Sequence, residues 1–201
     1  GFEGDGVAGV APTGWDTNPS GGSLLTSSDY AQSGSYSLMI DSTGAGAWMS
    51  PNAFQSFSAS PGDEYNFSGY MLMPGTNPIT DASFGLLKVE FRDTGGNLLD
   101  VAGNVSIGGA AAAPFFGAES DPFINSGSAT DAWIFTETQV VAPTGTVEAA
   151  FYLLNVNQGT APSPIYFDSV SVTVVPEPGV FALLGGLSVL GFVLFRRFKR
   201  N

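Results

Sequence analysis

Residues 84–92 read FGLLKVEFR, and this stretch indicates the fold class. From Leu87 to Arg92 the side chains alternate strictly between apolar and charged. A period of two places the two sets on opposite faces of a β-strand, one for the core and one for solvent. The stretch therefore predicts a strand at the surface of a layered β-protein.

Several other short segments are rich in β-branched, aromatic and leucine residues, and turn sequences such as Pro61-Gly62-Asp63 and Pro143-Thr144-Gly145 separate them. The predicted strands are 36–40, 65–73, 84–92, 98–101, 133–141, 147–154 and 165–175. No amphipathic helix of ten or more residues is predicted before residue 175. This pattern favours an all-β protein, built as an antiparallel sandwich over residues 1–174.

The amino-acid composition excludes several classes of function. The chain has 201 residues, of which 43% are hydrophobic, enough for one packed core. It has no cysteine and no histidine, which excludes disulfides, thiolate metal sites and histidine-based triads. All 18 acidic residues precede residue 179, where the only bases are Lys88 and Arg92. Such an acidic body repels nucleic acid, so no nucleic-acid partner is expected, whereas hard-oxygen binding of divalent cations is compatible with it.

The last 27 residues, 175–201, differ from the body. Residues 179–195 read GVFALLGGLSVLGFVLF and carry no charge. As a helix they span roughly 26 Å, close to the hydrocarbon thickness of a bilayer. A basic cluster follows, formed by Arg196, Arg197, Lys199 and Arg200. The pattern predicts one C-terminal transmembrane helix with its basic end in the cytoplasm and residues 1–175 outside.

A short motif precedes this helix, with Pro176, Glu177 and Pro178 in sequence. Together with the apolar span and basic end, it resembles the PEP-CTERM sorting signal of bacteria. The resemblance implies export, recognition by a membrane-embedded exosortase and removal of the tail near the motif. It implies an inner-membrane-tethered precursor and a mature form at the cell envelope or in the extracellular matrix. Because export needs a signal peptide, we expect that a leader ahead of Gly1 has been removed.

The body carries an ordered series of short sequences: GFEG at 1–4, GW at 14–15, SGSYSL at 33–38, PGDEY at 61–65 and IYFDSVSV at 165–172. This series is similar to the galactose-binding-like jelly roll of family 4, 9 and 22-type carbohydrate-binding modules. The resemblance implies a jelly-roll topology and a structural calcium held by Glu3, Asp168 and the turn around Ser35. The alternative is that Glu3 is a solvated terminal residue and Asp168 an exposed strand residue.

Glycan binding requires aromatic platforms beside hydrogen-bonding groups, because a pyranose has an apolar face and a ring of hydroxyls. The candidate platforms are Trp15, Trp48, Tyr70 and Trp133. The candidate hydrogen-bonding residues are Glu90, Arg92 and Asn155. The predicted site is a sheet face around Tyr70 that also carries Lys88, Glu90 and Arg92. The alternatives are that the aromatic residues are core residues and that the two bases neutralise nearby carboxylates.

An enzyme is not expected. Glu90 and Glu137 are two carboxylates that glycoside hydrolysis could formally use, but both occupy strand positions where surface charge is ordinary. No histidine is present to act as a base, and no phosphate-binding glycine motif occurs. Two functions are therefore predicted: an exported, non-catalytic surface or matrix protein, or a module that binds an extracellular polysaccharide.

Overall fold

The computed structural model describes residues 1–42, 49–101, 117–159 and 161–175. Apart from one 3₁₀ turn at Glu3–Asp5, the regular structure in these ranges is β-strand. The strands are β1 (Asp16–Asn18), β2 (Gly22–Ser27), β3 (Ser37–Ser42), β4 (Asn52–Ser58), β5 (Glu64–Leu72), β6 (Phe84–Arg92), β7 (Ala118–Glu119), β8 (Ile134–Val141), β9 (Glu148–Val156) and β10 (Ile165–Val175). The all-β prediction is confirmed.

The strands form two five-stranded antiparallel sheets. Sheet 1 has the order β1-β4-β9-β6-β7, and sheet 2 has the order β2-β3-β10-β5-β8. Each sheet mixes strands from both halves of the chain, so consecutive strands often cross from one sheet to the other. In particular, β5 belongs to sheet 2 and β6 to sheet 1.

The core lies between the sheets and is built from the inward set of each strand. In β6 the inward residues are Leu87, Val89 and Phe91, as the alternation predicts, and all three are fully buried. Phe67 of β5 and Phe167 of β10 face them from sheet 2 with no exposed surface. Burying a side chain of this size contributes about 1.5–3 kcal/mol, so this layer supplies much of the driving force for folding.

Four of the strands were not predicted, and one predicted strand does not form. The missed strands β1, β2, β4 and β7 are short or rich in serine, glycine and asparagine, which weakens their alternation. Segment 98–101 contributes only an isolated bridge between Leu98 and Arg92. A strand needs a partner along its length, and this segment finds one for a single residue.

The predicted C-terminal features lie beyond residue 175. Within the described ranges, no helix has the length and apolar character needed to cross a membrane. The predicted span 179–195, the motif Pro176-Glu177-Pro178 and the basic cluster lie outside the described residues.

Candidate functional site

The outer face of sheet 1 carries a pair of aromatic rings. The register places Phe54 of β4 opposite Tyr152 of β9, and Tyr152 opposite Lys88 of β6. The rings of Phe54 and Tyr152 are stacked, with centroids 5.1 Å apart and an interplanar angle of 27°. Both side chains are partly exposed because their strands turn Ala53 and Phe151 inward. The two rings therefore form an aromatic platform on the surface.

A line of three charged residues runs along β6 beside this platform. Lys88 Nζ lies 2.8 Å from Glu90 Oε1, and Arg92 Nη2 lies 3.2 Å from Glu90 Oε2. The side chains of Lys88 and Glu90 are only 12% and 13% exposed, whereas that of Arg92 is 31% exposed. The two bases of the body thus neutralise a carboxylate, in line with the second interpretation given for them above. We call Phe54, Tyr152, Lys88, Glu90 and Arg92 the sheet-1 face.

Tyr152 of the platform interacts with Arg92 and Glu90 of the charged line. A side-chain hydrogen bond to Tyr152 is the main cause that raises the pKa of Arg92. Burial is the main cause that raises the pKa of Tyr152, and the nearby charge of Glu90 acts in the same direction. Tyr152 therefore stays neutral, and Arg92 stays charged, across the ordinary pH range. The face offers two ring surfaces beside fixed donors and acceptors, which suits a ligand with apolar and hydroxyl sides.

Tyr70 does not lie on the sheet-1 face. It projects from the outer face of sheet 2, where its ring packs against Phe135 of β8 with centroids 5.2 Å apart. The prediction that Tyr70 shares a face with Glu90 and Arg92 is therefore wrong, because the β5–β6 connection crosses between the sheets. Alternation determines the face of a strand but not the sheet to which that strand belongs.

The remaining sequence candidates occupy different places. Trp15 is partly buried and packs against the core, with its ring centroid 5.5 Å from that of Phe2 and 6.4 Å from that of Phe151. Asn155 is fully buried and donates from Nδ2 to the carbonyls of Ile40 and Ser163, so it links the two sheets. Trp133 is partly buried just before β8, and Trp48 lies outside the described residues.

The structure brings the predicted calcium residues together at one loop, residues 32–36. Glu3 Oε1 accepts hydrogen bonds from the backbone N–H groups of Ser35 and Tyr36, at 2.9 and 2.8 Å. Asp168 Oδ2 accepts from those of Gln32 and Ser33, at 2.9 and 3.0 Å. We call this arrangement the carboxylate clamp. It ties the start of the chain and the last strand to the loop that precedes β3.

Asp168 is 1% exposed, and its Oδ1 also accepts from the N–H of Ser169. Gly34 has a φ of 72°, and a Cβ there would come within 2.5 Å of the Glu3 carboxylate. Glycine is therefore required for the close approach. Among the described residues, no group of three or more acidic side chains is placed to hold a metal ion, so a calcium ion here would need backbone carbonyl oxygens as well as the Glu3 and Asp168 carboxylates.

Comparisons with solved structures identify the fold. The xylan-binding CBM22-1 domain of Paenibacillus barcinonensis Xyn10C matches 83% of this chain and 89% of that chain, with 17% identity and a TM-score of 0.50. The CBM22-1–GH10 modules of Clostridium thermocellum xylanase Xyn10B, complexed with xylohexaose, match 81% of this chain and 26% of that chain, with 15% identity and a TM-score of 0.52. The enzymatically active domain of bacteriophage CBA120 tailspike protein 4 matches 81% of this chain and 20% of that chain, with 16% identity and a TM-score of 0.54.

The chain therefore spans about a fifth of the tailspike domain and a quarter of the xylanase modules. No protein-family model matches the chain, and no curated protein matches it in sequence. The similarities in structure show that the body has the β-sandwich fold of carbohydrate-binding modules. At this level of identity they show the fold alone.

Proposed function

We propose that this protein binds an extracellular polysaccharide through the sheet-1 face and does not cleave it. The observation that carries the proposal is the stacked Phe54–Tyr152 pair beside the line formed by Lys88, Glu90 and Arg92. A pyranose ring stacks on such rings through its C–H face, while its hydroxyls bond to the charged groups. The fold adds support, because solved carbohydrate-binding modules share it, among them a xylan-binding CBM22-1 domain.

A retention assay on insoluble xylan, cellulose and chitin tests this proposal. The full 201-residue chain is kept in a detergent without sugar groups, so that the detergent does not compete. We expect Tyr152→Ala to reduce retention at least about tenfold, which corresponds to about 1.4 kcal/mol. Tyr70→Ala is the matched control, because it removes a partly exposed tyrosine from the opposite sheet.

Two results would reject the proposal. One is a folded wild-type chain that no polysaccharide retains. The other is equal retention of Tyr152→Ala and wild type. Under either result, a structural or interaction role at the cell surface becomes the better account of the body.

The second part of the proposal concerns location. We propose that residues 175–201 deliver the chain to the envelope, as the Pro176–Pro178 motif, apolar span and basic end imply. An exosortase then acts near the motif and leaves the body at the cell surface or in the matrix. Expressed with an export leader, the precursor should fractionate with membranes, and removal of residues 179–201 should release it. A precursor that stays soluble without detergent would contradict this part.

The third part concerns calcium. Glu3, Asp168 and the loop around Ser35 would hold the ion through carboxylate and carbonyl oxygens, which would add a cross-link to the carboxylate clamp. An ion bound only by the native state stabilises it by about 2.7 kcal/mol at a hundredfold excess over Kd. EDTA should then lower the melting temperature of wild type and leave Asp168→Ala unchanged. If wild type melts identically with and without EDTA, the proposed calcium binding is contradicted. The carboxylate clamp would then consist of the amide hydrogen bonds alone.

A further inference from the structure

A cavity of about 520 Å³ lies at one end of the sandwich. Three connections meet there: the β5–β6 loop at Asp81–Ser83, the β7–β8 loop at residues 123–127, and the start of the β9–β10 loop at Gln158. Ligand pockets in proteins are usually of this size, between about 300 and 1,000 Å³. Neither the sheet-1 platform nor the carboxylate clamp lines the cavity.

Two phenylalanine rings form a corner of this cavity. Phe84 begins β6 on the outer side of sheet 1, and Phe123 comes from the β7–β8 loop. Their centroids are 6.3 Å apart and their planes are almost perpendicular, at 81°. Because the rings are almost perpendicular, one presents its face to the cavity and the other presents its edge. A single pyranose ring fits such a corner with its C–H face against one of them.

Polar side chains line the rest of the cavity, and several have hydrogen-bonding capacity to spare. Asn125 Oδ1 accepts from the N–H of Gly127, but the Asn125 Nδ2 group makes no hydrogen bond to a described residue. The side-chain amide of Gln158 and the hydroxyl of Ser126 likewise have no hydrogen-bond partner among the residues described. A ligand with several hydroxyls needs both hydrogen-bond donors and hydrogen-bond acceptors, because each hydroxyl can donate and accept.

A buried network holds this end of the sandwich in shape. Ser83 Oγ accepts from the backbone N–H of Gln158 at 2.9 Å, and Asp81 Oδ1 accepts from that of Ser83 at 2.8 Å. Asn157, which is fully buried, accepts from the N–H of Gly159 and donates to the hydroxyl of Ser42. The Asp81 carboxylate and the backbone at Gln158 are thus held in place before a ligand arrives, which lowers the entropic cost of binding for this part of the cavity.

The charge of the cavity restricts the ligand. Among the described residues that line it, Asp81 is the only charged one, and none is a base. A uronic acid or a sulfated sugar would therefore meet a like charge without a compensating cation. A neutral sugar meets no such penalty and can donate hydroxyl hydrogens to the carboxylate.

We propose that this cavity is a second binding site, specific for one or two neutral sugar units, such as the end of a glycan chain. Phe84 and Phe123 provide the apolar contact, and Asn125, Gln158 and Asp81 provide the hydrogen bonds. Phe84 lies four residues from Lys88 on β6, or about 13 Å along the strand. The cavity is therefore separate from the sheet-1 platform, and its ligand does not depend on the proposed function of that platform.

Saturation-transfer difference NMR on the full chain tests the cavity, with xylobiose, cellobiose and lactose as neutral probes and digalacturonate as the charged probe. We expect a signal from at least one neutral disaccharide and none from digalacturonate. Phe123→Ala and Gln158→Leu should each weaken that signal at least fivefold. Gln158→Leu keeps the side-chain size, so it remains informative if Phe123→Ala does not fold. Phe135→Ala, an aromatic truncation on the outer face of sheet 2, is the matched control.

The outcomes separate the two sites. Loss of the disaccharide signal in both cavity variants, with the signal retained in Phe135→Ala, supports the cavity. Wild type without a signal from any neutral disaccharide overturns it. A signal lost in Tyr152→Ala and kept in both cavity variants also overturns it, because the sugar then binds the sheet-1 face. Failure of polysaccharide retention on the sheet-1 face would reject the proposed function and leave this test unaffected.

Discussion

The outer faces of the two sheets use similar residue types for different ends. On sheet 2, the loop before β3 covers the part of the face around β10: the ring of Tyr30 packs edge-on against Tyr166 at 4.8 Å, and backbone N–H groups bind Asp168. On sheet 1, Tyr152 stacks with Phe54 at the surface, and Arg92 beside it is 31% exposed. An aromatic residue beside a charged one stabilises the fold on sheet 2, whereas on sheet 1 it remains accessible to a ligand.

The comparison teaches that burial decides the role of such a pair. Asp168 is 1% exposed and has three backbone N–H partners, so its hydrogen-bonding capacity serves the fold. Arg92 shares one carboxylate with Lys88 and keeps part of its guanidinium in solvent. Substitutions on sheet 2 should therefore affect mainly stability, and substitutions on sheet 1 should affect mainly binding.

The largest effect on stability should come from Asp168→Ala. The change leaves the N–H groups of Gln32, Ser33 and Ser169 without their acceptor, and we expect a loss of about 3 kcal/mol in the free energy of unfolding. For a domain of this size the melting temperature should fall by roughly 6–12 °C. Asp16→Ala, on an exposed strand of sheet 1, is the control and should change the melting temperature by about 1 °C or less. Equal effects of the two substitutions would remove the contrast between the faces.

Glu90→Gln should have the next largest effect on stability. It tests how much the charged line of sheet 1 contributes to the fold. It leaves Lys88 and Arg92 close together without their shared carboxylate, and we expect a loss of about 1–2 kcal/mol, measured by urea unfolding. Glu137→Gln on sheet 2 removes an exposed carboxylate and should cost less than about 0.5 kcal/mol. A Glu90→Gln variant as stable as wild type would show that the charged line contributes nothing to the fold.

Alkaline pH should reveal the half-buried side chain of Tyr152. Its pKa is raised above 10.0 in the folded chain, mainly by burial, so the folded state keeps its proton longer than the unfolded state does. The free energy of unfolding is then undiminished below pH 10 and falls as the pH rises towards the folded-state pKa. Tyr30, Tyr65 and Tyr166 also have raised pKa values, so the contribution of Tyr152 is the difference between wild type and Tyr152→Phe. Parallel loss of stability in both proteins between pH 9 and 11 would contradict a raised pKa at Tyr152.

The smallest effect should come from Asp41 on the outer face of sheet 2. Burial raises the pKa of Asp41, and its Oδ1 is buried without a hydrogen-bond partner among the described residues. Because the folded-state pKa is raised, the folded protein favours the protonated carboxyl more than the unfolded chain does. The free energy of unfolding therefore falls as the pH rises from the unfolded-state pKa through the folded-state pKa. Asp41→Asn should therefore gain up to about 1 kcal/mol at pH 7, a value limited by solvent screening. The gain should vanish below pH 3.8; a gain that persists at pH 3 would have another cause.

The fold class could be predicted because alternation is a local property of the chain. Leu87, Val89 and Phe91 face the core as the pattern of residues 84–92 indicates. The resemblance also assigns Glu3 and Asp168 to one site, and the structure brings both to loop 32–36. Whether they bind calcium remains a prediction.

The platform could not be predicted in full. Phe54 lies on β4, whose sequence NAFQSFS has too many polar residues to indicate a strand. Tyr152 had a detectable signal, because it alternates with the inward residues Phe151 and Leu153, but nothing local indicated that Phe54 would lie opposite it. The sequence cannot show that Tyr70 and Glu90 lie on different sheets either, because β5 and β6 are neighbours in the chain and not in a sheet.

The amino-acid sequence by itself determined that the body is all-β, which residues of β6 face inward, and that the bases Lys88 and Arg92 stand on the opposite side of that strand. These properties follow from the two-residue period of a single strand. Only the tertiary structure decided which strands share a sheet, that Phe54 stacks on Tyr152, and that Phe84 and Phe123 meet in a cavity. Such contacts join residues far apart in the chain, and they depend on which strand order buries the most apolar surface, which no local pattern specifies.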